Sequence, residues 1–147
     1  MVVFKNSVVI GCAPEDAFDY LSDHRSELEW NPACREMEKL TEGPVGLGTK
    51  YRAKWSNSPY VELETVAYDR PRSWTMHNGG PIEVRFTCTL EPVADGSRLT
   101  SDFTPTPHGW FRLVYPVFVV VMRRQERHNM GLIKMAVERR VQAGPTG

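Results

Sequence analysis

The sequence predicts an α+β fold: an antiparallel sheet of about six or seven strands wrapped around one long C-terminal helix, with two short helices after the first strand. Three observations predict it. Between Cys34 and Phe103, runs of alternating apolar and polar residues follow one another, broken by Gly, Pro and Asn turns. After Pro105 and Pro107 the hydrophobic period changes to about 3.6. Between the first strand and Cys34 lie helix-start and helix-stop residues.

The elements follow in order. VVFKNSVVIG (residues 2–11) is β-branched and bounded by Gly11, and reads as a strand. In APEDAFDYLSDHRSELEW, Pro14 suits a first helical turn, and Glu15 and Asp16 favour a helix N-terminus electrostatically. Ala17, Phe18 and Leu21 share a face, predicting a helix to about Ser22. A second short helix through Leu28 stops at Asn31-Pro32. CREMEKLTEG is a strand ending at Gly43-Pro44, and TKYRAKWS places Thr49, Tyr51, Ala53 and Trp55 opposite Lys50, Arg52 and Lys54. After a turn at Asn57-Ser58-Pro59 come the strands YVELETVAY and RSWTMH, the latter closed by Asn78-Gly79-Gly80-Pro81. IEVRFTCTL sets Ile82, Val84, Phe86, Cys88 and Leu90 against Glu83, Arg85, Thr87 and Thr89. Asp95-Gly96 is a hairpin signal, and SRLTSDFTP alternates through Leu99, Ser101 and Phe103. From about Gly109 to Val141 the chain reads as one helix, with a bend expected at Pro116.

The 147 residues suit one domain, taken as 1–147, with enough chain for a sizeable core. Apolar residues are 41% and charged residues 24%, an ordinary globular balance. Lys plus Arg and Asp plus Glu are equal at 18 each, so no nucleic-acid partner is predicted. Cys12, Cys34 and Cys88 form no CxxC and read as free thiols. MVVFKNSVVIG shows no basic region followed by a long apolar core and a cleavage site, so a cytoplasmic location is expected.

GWFRLVYPVFVVVMRRQERHNM (109–130) is the least typical stretch. A membrane-spanning helix needs ~20 apolar residues. Here the run is shorter, contains Arg112 and ends in Arg123 and Arg124, so spanning is not predicted. At about 100° per residue, Phe111, Val114, Tyr115, Phe118, Val121, Met122, Leu132, Ile133 and Ala136 form one broad stripe. Arg112, Arg123, Arg124, Arg127, Lys134 and Glu138 fall on the other side. Arg123, Arg124 and Arg127 read as a solvated face, with a local, salt-sensitive contact to an anionic membrane as the alternative. Gln125 and Asn129 fall within the apolar stripe, either as a satisfied structural pair or as polar anchors on a pocket wall.

One helix cannot fill the concave side of a twisted meander, so a cavity between helix and sheet is expected. Its candidate lining is aromatic: Trp30, Tyr51, Trp55, Trp74, Phe86 and Phe103, with Tyr115 and Phe118 from the helix. Met76, Cys88, Met122, Gln125 and Asn129 complete the set of candidate ligand-binding residues. Each taken singly suits core packing as well.

His24, His77, His108 and His128 are scattered without metal-ligand spacing, so no metal is predicted. GxGxxG, GxxxxGK[ST] and GxSxG are absent, and no cofactor is predicted. His77 is the single best acid–base candidate, although its phase opposite Trp74 and Met76 points it outward. Glu83 with Arg85, and Glu62 with Glu64, read as solvated cross-strand charges, and Asp102 falls out of phase with Leu99 and Phe103.

The order of elements resembles the START-like (SRPBCC) superfamily, the polyketide cyclase/dehydrase and lipid-transport family. The phrases that carry the resemblance are APEDAFDYLSDHRSELEWNP, GPVGLGTKYR, YDRPRSW and LEPVADGSRLT. They mark turns and packing across nearly the whole chain, and so speak to fold more than to function. The resemblance implies the helix-grip fold and a cavity for a hydrophobic or aromatic small molecule. It supplies no catalytic motif that can be laid on numbered positions here. Three functions follow as expectations. The first is binding of an apolar lipid-, polyketide- or quinone-like molecule without chemistry. The second is cyclisation or dehydration of an aromatic polyketide, with Gln125, Asn129 or His77 moving a proton. The third is an accessory role through the outer surface.

Overall fold

The computed structural model describes residues 4–56, 59–79 and 82–142. Strand β1 (Phe4–Ile10) leads to α1 (Pro14–Leu21), a 3-10 turn (His24–Ser26) and α2 (Glu27–Trp30). Strands β2 (Cys34–Lys39), β3 (Lys50–Trp55), β4 (Val61–Asp69), β5 (Ser73–Asn78), β6 (Ile82–Val93) and β7 (Gly96–Pro107) follow, then α3 (Phe111–Gln142). This is the predicted order and the helix-grip architecture. Val2, Val3, Asn57, Ser58, Gly80 and Pro81, which the sequence assigned to strands and turns, lie outside the described residues.

The seven strands are ordered β1-β7-β6-β5-β4-β3-β2, every described neighbour antiparallel. Because β1 bonds to β7, the first strand lies beside the last, and α3 packs mainly on β1 and the short helices. Cross-strand registers align the core-facing residues into rows. One runs Thr65–Met76–Phe86–Phe103–Phe4, and the next Tyr68–Trp74–Cys88–Ser101–Asn6. A β-strand alternates faces, so His77, Glu83 and Arg85 occupy the opposite face.

Several elements run further than the sequence suggested, β6 to Val93 among them. The alternation in SRLTSDFTP stopped the expected strand near Pro105, yet β7 continues to Pro107. Proline cannot donate to a ladder, but the described β1 pairing ends at Phe103, and Pro105 and Pro107 pair only with β6. Helix α2 ends at Trp30 rather than Leu28, because the Asn31 backbone N–H still bonds to Glu27 O.

α3 continues through Pro116 near its N-terminus. Its inward line passes through Tyr115, Phe118, Met122, Asn129, Ile133 and Val137. Val114 and Val121, expected on the inner stripe, are instead 43% and 57% exposed. Apolar residues surround the first three turns of this helix, so their periodicity alone does not select a face.

The core centres on Phe18, which meets Trp74 and Tyr68 edge-on at 5.1 and 5.3 Å between ring centroids. Tyr51, Leu90, Leu99 and Val137 are also fully buried, and the three thiols are buried and form no disulfide. Gly96 joins the β6–β7 hairpin to the end of β1. Its φ is +136°, and a Cβ there would fall 2.1 Å from Ile10 O. Gly43 also has positive φ, +86°, but open space around it. Gly96→Ala is therefore expected to destabilise the protein by ~2 kcal/mol or more, and Gly43→Ala by ~1 kcal/mol. The measurement is the shift of the urea unfolding midpoint at unchanged slope.

Candidate functional site

The site is built from the inner sheet face, the α1–α2 segment and the middle of α3. A chain of polar contacts ties the short helices to the sheet. Trp74 Nε1 donates to His24 Nε2 at 3.0 Å. An indole N–H only donates, so Nε2 accepts and the His24 ring carries its proton on Nδ1, which faces Glu27 Oε1 at 3.9 Å. Glu27 Oε2 in turn accepts from Trp55 Nε1 at 2.6 Å and Asn31 Nδ2 at 2.9 Å. Asn31 is held in place because its Oδ1 accepts the Ala33 backbone N–H in the turn that starts β2.

Facing this chain from α3 is Glu126. At ~100° per residue it falls within ~40° of Met122 and Ile133, in the midst of the inward line. Burial, and secondarily the charge of Glu27, push its carboxyl up to about 7. Its side chain is only part-buried, yet it has no hydrogen bond or ion pair among the described residues. Burial and the same two acids, with Asp102, also raise the Cys88 thiol well above its usual range. Cys88 therefore stays a thiol, a small apolar wall element rather than a nucleophile.

Other polar atoms here are incompletely satisfied. Trp30 Nε1, Tyr51 OH and Ser101 Oγ are buried without a hydrogen-bond partner among the described residues. Burial first, then the charge of Asp23, raises the Tyr51 hydroxyl to about 12. Asn129 is buried, 7% exposed, and makes no side-chain hydrogen bond among the described residues. Leaving such a group unpaired costs ~1–3 kcal/mol.

The other residues singled out from the sequence lie as follows. Trp74 and Met76 are buried on β5, and Thr65 Oγ1 lies 3.2 Å from the Met76 sulfur. Phe86 and Phe103 are half-buried and meet edge-to-face at 6.0 Å. Tyr115 stacks on Phe118 at 6.1 Å and donates to Pro105 O at 3.1 Å, so its hydroxyl fastens α3 to β7. Met122 and Gln125 are half-buried on α3.

His77 is separate from this group. It lies on the outer face, where its Nε2 is 2.6 Å from Glu83 Oε2, while His108 Nε2 is 3.1 Å from Glu83 Oε1. The two imidazoles hold the Glu83 carboxyl below its usual range. A shallow pocket of about 200 Å³ opens near the C-terminal end of α3, lined by Tyr20, Glu29, Ala136, Arg139 and Arg140. No group of metal-ligating residues occurs among the described residues.

Sequence reasoning missed Glu126, Glu27 and His24. Glu126 was available from its spacing, four residues after Met122 and seven before Ile133. The exposed valines Val114 and Val121 pulled the apparent stripe away from it, towards Gln125. No signal in the sequence connects Glu27 and His24 to Trp55 and Trp74, because those contacts span 28 and 50 residues.

A family model described as polyketide cyclase / dehydrase and lipid transport matches residues 1–143. The chain belongs to that family. The START-like resemblance carried by the turn phrases is thus borne out. No curated protein matches the sequence. Among solved structures, the chain is similar to Ara h 8.0201, at 21% identity and TM-score 0.68 over 97% of this chain and 99% of that one. It is similar to a protein from Thermus thermophilus, at 15% identity and TM-score 0.72 over 99% and 100%. It is also similar to the di-domain ARO/CYC StfQ from the steffimycin biosynthetic pathway, at 14% identity and TM-score 0.76 over 96% of this chain and 52% of that one. At these identities the likeness is one of fold.

The Glu126 shift has a pH signature. An ordinary glutamate titrates near 4.5 and this one near about 7. Between those values the folded protein keeps a proton that the unfolded chain has released, so stability falls as pH rises through the window. Glu126→Gln is expected to remove that slope and to exceed the wild type by ~1–3 kcal/mol at about pH 8, while matching it more closely at about pH 5. Urea unfolding at both pH values measures this. Equal slopes in both proteins would exclude Glu126 as the source.

Proposed function

We propose that this protein holds an apolar or aromatic small molecule, lipid-, polyketide- or quinone-like, between α3 and the inner sheet face. One observation carries the reading. The inner wall is apolar, yet Ser101 Oγ, Asn129 and Glu126 stand on it without protein partners among the described residues. A molecule with an apolar body and one or two polar groups complements such a wall, since the body replaces water and the polar groups meet the open donors and acceptors. Tyr51, Trp55, Met76, Phe86 and Phe103, with Tyr115, Phe118 and Met122, supply the flat apolar surfaces of this reading, and Trp30, Trp74 and Cys88 its base. Asn129 and Gln125 are its amide contacts.

A second reading is favoured by Glu126 itself. A carboxyl poised near neutral pH can both accept and return a proton, as cyclisation or dehydration of an aromatic polyketide requires. The likeness in fold to the di-domain ARO/CYC StfQ agrees with that reading without carrying it. Glu126 takes the proton-moving role, and His77, on the outer face, drops out of it.

The first test is native mass spectrometry of protein purified from its own cells, with release and identification of any bound molecule. A stoichiometric apolar compound is expected, and Asn129→Leu with Ser101→Ala is expected to lower its occupancy several-fold. Folded protein that carries no compound and shows no saturable uptake of an apolar fluorescent probe would overturn the binding reading. Glu126→Gln separates the two readings: retained binding with loss of turnover on a poly-β-ketone favours the cyclase, and no turnover by the wild type favours the carrier.

A further inference from the structure

The first half of α3 has two apolar sides, and only one of them meets the protein. The inner side carries Tyr115, Phe118 and Met122. The outer side exposes Trp110 at 66%, Leu113 at 84%, Val117 at 69% and Val120 at 62%. The spacings of 4 and 3 put Leu113, Val117 and Val120 on one face of the helix, and Trp110 immediately precedes its first residue. Singly exposed apolar residues are ordinary, but a contiguous exposed patch marks an interaction surface.

The charge around the patch is of one sign. From Phe103 to His128 the sequence holds a single acid, Glu126, and it sits on the inward line. The same stretch holds Arg112, Arg123, Arg124 and Arg127, all exposed. Arg112, Arg124 and Arg127 have no ion-pair partner among the described residues, and Arg123 lies 5.6 Å over the Phe4 ring. Glu83, bordering the patch through His108, is already engaged by two histidines. No described helix is long and apolar enough to cross a bilayer.

We infer that the outer face of α3 between Trp110 and Arg127 docks in the plane of an anionic lipid surface. An interfacial helix needs this composition: an apolar face to enter the acyl boundary, a Trp at its edge and Arg side chains for the phosphates. A second copy of this chain fits worse, because a two-fold pairing would bring the same arginines together without an acid to offset them. Docking would set the bilayer on one side of these turns and Tyr115 and Phe118, which face the sheet, on the other.

Vesicle flotation tests the inference. Wild-type protein is mixed with phosphatidylcholine vesicles, or with vesicles containing about 30% phosphatidylserine, at ~0.1 M and ~0.5 M salt. Binding to the anionic vesicles at low salt is expected, with at least a tenfold weaker partition onto neutral vesicles or at high salt. Leu113→Glu with Val117→Glu changes two exposed side chains, so the fold and melting temperature are expected to persist while partition falls about tenfold or more. Arg124→Ala with Arg127→Ala is expected to weaken partition and flatten its salt dependence. Absence of flotation with anionic vesicles would overturn the inference, as would equal partition of the Glu variant. So would a concentration-dependent dimer that the Glu variant dissolves, since the patch would then serve a second copy.

Discussion

A single 32-residue helix has to cover the inner face of a seven-stranded sheet. A helix with its side chains is about 10–12 Å across, whereas seven strands spaced by about 4.8 Å span nearly three times that width. The uncovered remainder has to be closed by something else. At one end α1, the 3-10 turn and α2 close it, and Phe18 wedges between Tyr68 and Trp74. The pairing of β1 with β7 supports the arrangement, because it places the floor beneath α3 at the junction of the first and last strands. The middle of the interior is left to side chains whose polar atoms lack protein partners among the described residues, and the proposed ligand belongs there.

Those polar atoms are coupled. Glu27 is fixed by two N–H donors from Trp55 and Asn31, and His24 is oriented by Trp74. A fixed negative group beneath α3 makes a second carboxyl nearby expensive to ionise where water is scarce. Burial is the larger cause of the raised Glu126 carboxyl, and Glu27, held by the contacts that tie α2 to the sheet, adds to it. Loosening α2 would free Glu27 and remove that smaller contribution, leaving the effect of burial.

α3 combines two unlike surfaces along its length. Its C-terminal half is an ordinary amphipathic helix, with Met130, Ile133 and Val137 buried and Arg139 and Arg140 exposed. Its N-terminal half is apolar on both sides and fastened to β7 through Tyr115 and Pro105. Burial in the protein accounts for one side of it. On the other side Leu113, Val117 and Val120 stay exposed.

Much of this was legible in the sequence, for local physical reasons. Alternation in TKYRAKWS and IEVRFTCTL marks strands because a pleat sends neighbours to opposite faces, and the same alternation correctly turned His77 outward. Asp95-Gly96 marked its hairpin because few residues adopt positive φ without strain. The turn phrases carried the family. What the sequence left open depends on contacts between distant segments. Which side of residues 110–121 meets the sheet was hidden because both sides are apolar. Glu126 went unnoticed because a stripe's centre is defined by what lies opposite it. The partnership of Glu27 and His24 with Trp55 and Trp74 required the sheet to curl over α2. Sequence by itself determined the elements, their order and the family, since propensity and period act within a few residues. Only the tertiary structure decided which groups share the interior, because burial and charge coupling depend on distance in space.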